Sequence, residues 1–267
     1  MIAIVAAMKQ EVAGLMRDMG HIPDMPPSSL SVHVTGVGKE KALAGAKRLL
    51  NGPIRPDAIL SLGFAGALRD RLATGDLVLS RRLYSSEEEG FLESDARLLG
   101  LAQEALRGST KLRHFVADNL TVPEAVSSAE GKRRLAETTT AWLVNMEDYW
   151  IAKAAIQRGM PFLSVRAVLD TAHQELPLFL AGLGGKGPLV QALHVVANGI
   201  AGPKSVPGML KLSRQVRVAQ DSLTAFGLSF VPLTLASGNP PDPPLVKGGK
   251  EGTGRGAGSE GYLESYE

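Results

Sequence analysis

Three acidic residues, Glu11, Glu147 and Asp170, each come just after a short apolar run of the kind that forms a buried strand. Ligands of α/β proteins bind at the carboxyl ends of strands, so three carboxylates at three such ends predict one acidic crevice. Carboxyl groups in a crevice can donate or accept protons during catalysis. The alternative for each acid is a helix N-cap or first-turn position, stabilised by the helix dipole.

Other common catalytic signatures are absent from the sequence. The turn Gly36-Val37-Gly38 has Lys41 in place of the third glycine of a dinucleotide fingerprint, and His33 stands where a phosphate-binding loop needs its first glycine. No Gly-x-Ser-x-Gly nucleophile elbow occurs. The five histidines show no metal-ligand spacing, and each is expected to be a surface or packing residue. We therefore expect no cofactor, neither a metal nor a nicotinamide.

The composition is that of an ordinary globular protein. The 267 residues are 44% hydrophobic and 21% charged, and 29 basic against 27 acidic residues leave a net charge of +2. That excess is too small to indicate nucleic-acid binding. The absence of cysteine excludes a disulfide scaffold, a thiolate metal site and a cysteine nucleophile. Without a basic leader or about 18 uninterrupted apolar residues, the chain is expected in the cytoplasm.

Apolar runs alternate with helical periodicity along the first 170 residues, which predicts an α/β sandwich with a mixed, largely parallel sheet. The expected strands are Ile2–Ala7, Leu30–Thr35, Ala58–Leu62, Asp76–Ser80, Arg113–Asp118, Ala141–Asn145 and Pro161–Val168, and the expected helices are Glu11–Met19, Glu40–Leu50, Asp95–Leu106 and Asp148–Arg158.

The pattern changes after Pro177, where two further helices are expected at Leu189–Ile200 and Met209–Phe226. From residue 237 onward the chain is rich in glycine, proline and charge, a composition that cannot bury a core. We therefore predict one domain over 1–236, with a helical part at 178–236, and a disordered tail over 237–267.

Five segments, in the correct order, resemble motifs of the purine nucleoside phosphorylase/uridine phosphorylase superfamily, and of its methylthioadenosine/S-adenosylhomocysteine nucleosidases in particular. The resemblance covers residues 1–175 and implies a three-layer α/β/α fold. The segments are Ile2–Val12, Thr35–Lys39, Gly63–Leu68 with Gly75–Val78, Val144–Glu147 and Val165–Asp170.

The resemblance implies cleavage of a purine N-glycosidic bond, which passes through an oxocarbenium-like sugar. Asp170 is then the acid that protonates N7 of the leaving adenine, kept protonated by the apolar flank of Val168 and Leu169. Glu11 is the general base on the attacking water. Glu147 accepts hydrogen bonds from the ribose hydroxyls.

The remaining carried-over roles concern substrate binding. Met146 is expected to pack beneath the sugar, and Arg166 to hold the acidic residues by a charge-assisted contact. Gly63 and Phe64 belong to the turn in which the family usually has a serine. That serine hydroxyl commonly contacts phosphate, so Phe64 disfavours phosphorolysis without excluding it. The start of the following helix, Asp148-Tyr149-Trp150, is bulkier than the family's usual small residues.

The segment Leu169–Pro177 is similar to hopanoid-associated phosphorylases, which implies release of adenine from adenosylhopane. A homodimer is expected from the same resemblance. The basic residues Lys211, Arg214 and Arg217 suggest contact with membrane headgroups, although ordinary core and oligomer packing is the preferred explanation of these helices. The alternatives are a methylthioadenosine/S-adenosylhomocysteine or futalosine hydrolase, and a nucleoside-binding sensor without catalysis.

Overall fold

The structure is a computed structural model that describes residues 1–21, 26, 29–176 and 206–237. Eight strands and six α-helices alternate through these residues. The strands are β1 Ile2–Ala6, β2 Leu30–Val34, β3 Ala58–Ala67, β4 Leu77–Ser85, β5 Leu92–Glu93, β6 His114–Thr121, β7 Leu143–Asn145 and β8 Phe162–Asp170. The helices are α1 Lys9–Asp18, α2 Lys39–Leu50, α3 Ala96–Leu106, α4 Ala129–Thr138, α5 Asp148–Ile156 and α6 Val206–Ala236, with a 3-10 turn at Met19–His21.

The strands form one mixed sheet with helices on both faces, which confirms the predicted α/β/α class. Alternate residues of β1 point to opposite faces, as a pleated strand requires. Ile2, Ile4 and Ala6 join the core that includes residues of α1, α3 and α6. Ala3 and Val5 join the core that includes residues of α2 and α5. The sheet therefore lies between two helical layers.

Part of the sheet closes on itself, a feature that the sequence did not predict. The strand order is β2-β1-β3-β7-β6-β4-β5, and β8 pairs with both β3 and β4. The ring β3-β8-β4-β6-β7 is completed by antiparallel pairing of Gly66 and Ala67 with Val144 and Leu143. Because β3 and β7 meet at this short pairing, the segments after β7 are held against the end of β3.

Four strands, β3, β4, β6 and β8, extend further than the sequence predicted, and the extensions of β3 and β8 carry motif residues. β3 was expected to end at Leu62, but it continues through the Gly63–Gly66 motif to Ala67. β8 continues through Asp170, so that acid is the last residue of a strand and not the first residue beyond one. In both cases pairing between β3 and β8 carries the extension, with an irregularity between Ala65 and Gly66. The motif residues at the ends of β3 and β8 are therefore fixed by the backbone hydrogen bonds between these two strands.

Two elements were missed by the sequence analysis, the short strand β5 and helix α4. Helix α4 carries charge pairs four residues apart, Glu130 with Arg134 and Arg133 with Glu137. Ser128 caps it by accepting a hydrogen bond from the backbone N–H of Gly131. These spacings are signals that could have predicted the helix.

Helix α6 is longer than the predicted Met209–Phe226 and packs against α1, α3 and β8. Two of its own residues, Phe226 and Phe230, stack on each other in the core. The predicted helix Leu189–Ile200 and residues 238–267 of the predicted tail lie outside the described residues, so the domain division stays a prediction. None of the helices within the described ranges is long and apolar enough to cross a membrane.

Leu212 and Leu210 on α6 provide a matched test of this packing. The side chain of Leu212 is 1% exposed and that of Leu210 is 56% exposed. Leu212→Ala is expected to lower the free energy of unfolding by about 2–5 kcal/mol, because it leaves a cavity in the core. Leu210→Ala is expected to change it by less than about 0.5 kcal/mol. Urea unfolding of both variants measures the difference, and equal losses would contradict the packing of α6.

Candidate active site

An apolar pocket lies where β1, β3, β7 and β8 end, and all three predicted acids line it. Glu11 reaches it from α1, Glu147 from the start of α5 and Asp170 from the end of β8. The acids are the charged members of a lining that is otherwise mostly apolar: Ala7, Met8, Val37, Phe64, Ala65, Gly66, Val122, Ala125, Val126, Val144, Asn145, Met146, Leu169 and Leu176. The pocket can thus enclose an apolar ligand and present carboxyl groups to it.

Glu11 is fixed by backbone donors from two elements. Its Oε2 accepts a hydrogen bond from the Met8 N–H at 2.8 Å, and its Oε1 accepts one from the Phe64 N–H at 2.9 Å. Glu11 therefore lies in the first turn of α1, as the alternative interpretation of this acid predicted, and it also lines the pocket. Burial raises the pKa of Glu11, although the charge of Arg166 and the backbone hydrogen bonds oppose the rise.

Glu147 is held by the turn that follows β2. Gly38 has a φ of 93°, which favours glycine, and its N–H donates to Glu147 Oε1 at 2.8 Å. The Glu147 N–H in turn donates to Asn145 Oδ1 at 2.9 Å. Burial raises the pKa of Glu147 to about 7, with Arg166 opposing the rise and Glu11 adding to it. The carboxyl group is consequently near its titration midpoint at neutral pH.

Asp170 is paired with a lysine that the sequence analysis did not identify. Lys132, from α4, donates to Asp170 Oδ2, and both side chains are almost completely buried. Burial raises the pKa of Asp170, while the Lys132 charge and hydrogen bond lower it. The apolar flank expected to keep Asp170 protonated is present, since Val168 and Leu169 are buried. Lys132 has the opposite effect on the pKa of Asp170, which it lowers.

Arg166 does not touch the pocket acids as closely as expected, because its main partner is Asp148. Arg166 Nε donates to Asp148 Oδ2 at 2.7 Å, and Nη2 donates to Asp148 Oδ1. Its Nη1 lies 4.0 Å from Glu11 Oε1 and has no hydrogen-bond partner. Burial alone would raise the pKa of Asp148, but Arg166 outweighs it and the pKa lies below its usual value.

The other predicted binding residues divide between the pocket wall and its support. Met146 and Phe64 line the pocket. Gly63 lies behind it, where a Cβ atom would be 1.7 Å from Arg166 Nη1 and 2.7 Å from Glu11 Oε1. Gly63 therefore leaves space for the guanidinium group. Within the described ranges, no group of three or more His, Cys, Asp or Glu side chains could hold a metal ion.

Two functional residues were missed, Lys132 and Asp148. Lys132 stands between Gly131 and two arginines, so its sequence context looks like a solvated helix surface. Asp148 was noted only as bulkier than the residue usually found there. Neither partner is near in sequence, since 38 residues separate Lys132 from Asp170 and 18 separate Asp148 from Arg166. Sequence spacing alone gave no signal for either pair.

The fold and the acidic pocket define an α/β enzyme with a carboxylate site, as the sequence predicts. The sequence model of the Phosphorylase superfamily matches residues 2–182, and the chain belongs to that family.

Relatives and solved structures agree with this membership. The chain is 27% identical over 205 residues to a 5'-methylthioadenosine/S-adenosylhomocysteine nucleosidase of Listeria welshimeri, covering 65% of this chain and 88% of the relative. It resembles the fold of the Neisseria meningitidis nucleosidase in complex with methylthio-immucillin-A, with a TM-score of 0.65, 18% identity and coverage of 86% and 97%. Futalosine hydrolase of Helicobacter pylori aligns with a TM-score of 0.61, 17% identity and coverage of 84% and 96%.

The raised pKa of Glu147 predicts a pH-dependent stability difference between the protein and Glu147→Gln. The carboxyl group of Glu147 binds its proton more tightly in the folded protein than in the unfolded chain, where its pKa is near 4.5. The contribution of Glu147 to stability is therefore full below pH 4.5 and is lost as the pH rises through about 7. Glutamine keeps the acceptor oxygen and does not ionise.

Relative to the protein, Glu147→Gln is expected to gain about 2–3 kcal/mol in the free energy of unfolding between pH 5 and pH 8. Denaturant unfolding at both pH values measures this gain. The control is Glu89→Gln, since Glu89 is exposed. A stability difference that does not change with pH would contradict the raised pKa.

Proposed function

We propose that this protein hydrolyses the N-glycosidic bond of an adenine nucleoside. The observation that carries the proposal is the convergence of Glu11, Glu147 and Asp170 on one apolar pocket. Breaking this bond needs an acid for the purine, a base for the water, and negative charge near the sugar. The relatives named above are nucleosidases, which supports this reaction class.

Each acid has the surroundings that its proposed role needs. Burial raises the pKa of Asp170, which favours the protonated form that can donate to N7 of adenine. Glu147 accepts hydrogen bonds from the ribose hydroxyls, and its ionised form, which predominates above a pH of about 7, stabilises the positive charge that develops on the sugar. Met146, the preceding residue in the pocket wall, packs beneath the sugar ring.

Glu11 takes the proton of the attacking water. Burial raises the pKa of this carboxyl group, which makes it a stronger base once it is ionised. The unpaired Nη1 of Arg166 lies 4.0 Å from Glu11 Oε1. The charge of Arg166 favours the ionised form of Glu11, which is the form that accepts a proton.

Water fits this pocket better than phosphate does. Within the described residues, the cations that form ion pairs with the pocket acids are Arg166 and Lys132, and each also has a carboxylate as its main partner. A phosphate dianion would therefore lie close to Glu11 and Glu147 without a free cation to neutralise it. Phe64, which replaces the family's serine, offers no hydroxyl to bind it. These observations favour hydrolysis over phosphorolysis.

The apolar wall supports a substrate with an apolar 5′ substituent, and we propose adenosylhopane as that substrate. Met8, Val37 and Leu176 are among the residues that would meet a nonpolar group. Lys211, Arg214 and Arg217 are exposed on α6, as contact with a membrane surface requires. Methylthioadenosine, S-adenosylhomocysteine and futalosine are the alternative substrates.

A nucleoside panel tests the proposal. The protein is incubated with each of these nucleosides, with and without phosphate, and the released purine base and the sugar products are measured. We expect adenine and free sugar at rates independent of phosphate, and the largest kcat/KM for adenosylhopane. Formation of a sugar 1-phosphate in place of free sugar would show phosphorolysis. Tight adenine binding without turnover of any nucleoside would indicate a sensor.

Asp170→Asn tests the assignment of the acid in the same assay. It removes the transferable proton while keeping the shape of the side chain, so kcat is expected to fall by at least about a hundredfold. Asp221→Asn is the matched control, because Asp221 is exposed on α6. Full activity of Asp170→Asn would overturn the role of Asp170 in the reaction.

A further inference from the structure

Helix α4 buries a lysine against the pocket. Of its ten residues, Lys132 is the buried one, and its side chain is 0% exposed. The neighbouring Arg133 and Arg134 are exposed and pair with glutamates of the same helix. Burial of an ammonium group is unfavourable unless it is paired and hydrogen-bonded. The partners of Lys132 should therefore explain its position.

Three acceptors surround the Lys132 ammonium group. Its Nζ donates to Asp170 Oδ2, and to the carbonyl oxygens of Thr171 and Gln174 at 2.8 Å each. An ammonium group has three N–H donors, so all of them are used. Lys132 therefore has no donor left for a bound ligand.

The two oxygens of Asp170 differ in their contacts. Oδ2 is occupied by Lys132, whereas the hydrogen bonds of the described residues leave Oδ1 without a partner. Asp170 also lines the pocket. The carboxyl group thus connects a fixed positive charge on one side with the ligand space on the other.

We propose that Lys132 is a positioning residue for proton transfer by Asp170. This inference rests on the proposed function, in which Asp170 is the acid. The proton leaves Asp170 Oδ1 for N7 as the electron pair of the glycosidic bond moves onto the purine. The water oxygen bonds to the sugar carbon, and its proton passes to Glu11. Lys132 stabilises the carboxylate that forms on Asp170, through the hydrogen bond to Oδ2.

Burial and Lys132 have opposite effects on Asp170, and proton donation needs both. Burial raises the pKa, which keeps the proton on the carboxyl group in the free protein. The charge and hydrogen bond of Lys132 lower the pKa, which lets the proton leave once adenine begins to depart. Without Lys132 burial would act alone, so the acid would hold its proton too tightly.

The test replaces Lys132 with neutral and with charged side chains. Lys132→Met keeps a long unbranched chain without charge, and Lys132→Arg keeps the charge. For Lys132→Met, the alkaline limb of the pH profile of kcat/KM is expected to move upward by about one to three pH units. We expect kcat to fall at least about tenfold. Lys132→Arg should keep the limb within about half a unit of its original pH.

A purely structural role would give a different result. If Lys132 only anchors the segment after β8, Lys132→Met would raise KM or lower Tm while the alkaline limb stays in place, and that outcome overturns the proposal. Lys132→Gln replaces Lys132→Met if the latter does not fold, because an amide still donates to the Thr171 and Gln174 carbonyls. In an Asp170→Asn background, removal of the lysine charge should cause no further loss of kcat.

A measurement without turnover separates this proposal from the proposed function. The side-chain carboxyl carbon of Asp170 is followed by 13C NMR against pH, and Asp170→Asn identifies its signal. Its titration midpoint should be at least about one pH unit higher in the neutral variant. Equal midpoints would overturn the role of Lys132 even if the protein releases adenine. A shifted midpoint with no turnover of any nucleoside would overturn only the proposed function.

Discussion

The buried ion pair between Arg166 and Asp148 joins the parts of the fold that meet beneath the pocket. Arg166 comes from β8, and Asp148 begins α5. Ser61 of β3, Asn119 of β6 and Ser164 of β8 donate to the same carboxylate at 2.8, 2.7 and 2.5 Å. Breaking a buried pair by removing one partner leaves an uncompensated charge, which is strongly destabilising. Three strands of the closed ring and one helix are therefore fixed relative to one another by a single carboxylate.

This pair also determines the charge available to the pocket. Because Asp148 takes two of the three guanidinium nitrogens of Arg166, only Nη1 is directed toward Glu11. Within the described residues, Glu11 and Glu147 consequently accept no hydrogen bond from a cation, and burial dominates their pKa values. The pKa values of these two carboxyl groups stay raised because Arg166 is bound mainly to Asp148. Such a pocket suits a neutral nucleophile and a sugar that becomes positive.

Features that depend on local periodicity could be predicted from the sequence, whereas contacts between distant residues, such as buried polar pairs, could not. Apolar alternation predicted the layers, and the positions of Glu11, Glu147 and Asp170 after apolar runs predicted their convergence. The closure of the sheet was missed because it depends on a pairing of β3 with β7 between residues about 77 apart, which no local pattern encodes. Lys132 was missed because a charged residue on a polar helix is normally solvated, and only tertiary contacts show that it is buried.

The two buried cations, Arg166 and Lys132, differ in how many oxygens of their partner carboxylate they bind. Arg166 binds both oxygens of Asp148, so that carboxylate has no remaining capacity to exchange a proton with a ligand. Lys132 binds one oxygen of Asp170, whose side chain also lines the pocket. In the proposed mechanism, the geometry of the contact therefore distinguishes a structural carboxylate, bound at both oxygens, from a reactive one, bound at a single oxygen. Since Arg offers a planar fork and Lys a point charge, the choice of cation at each position is itself part of that distinction.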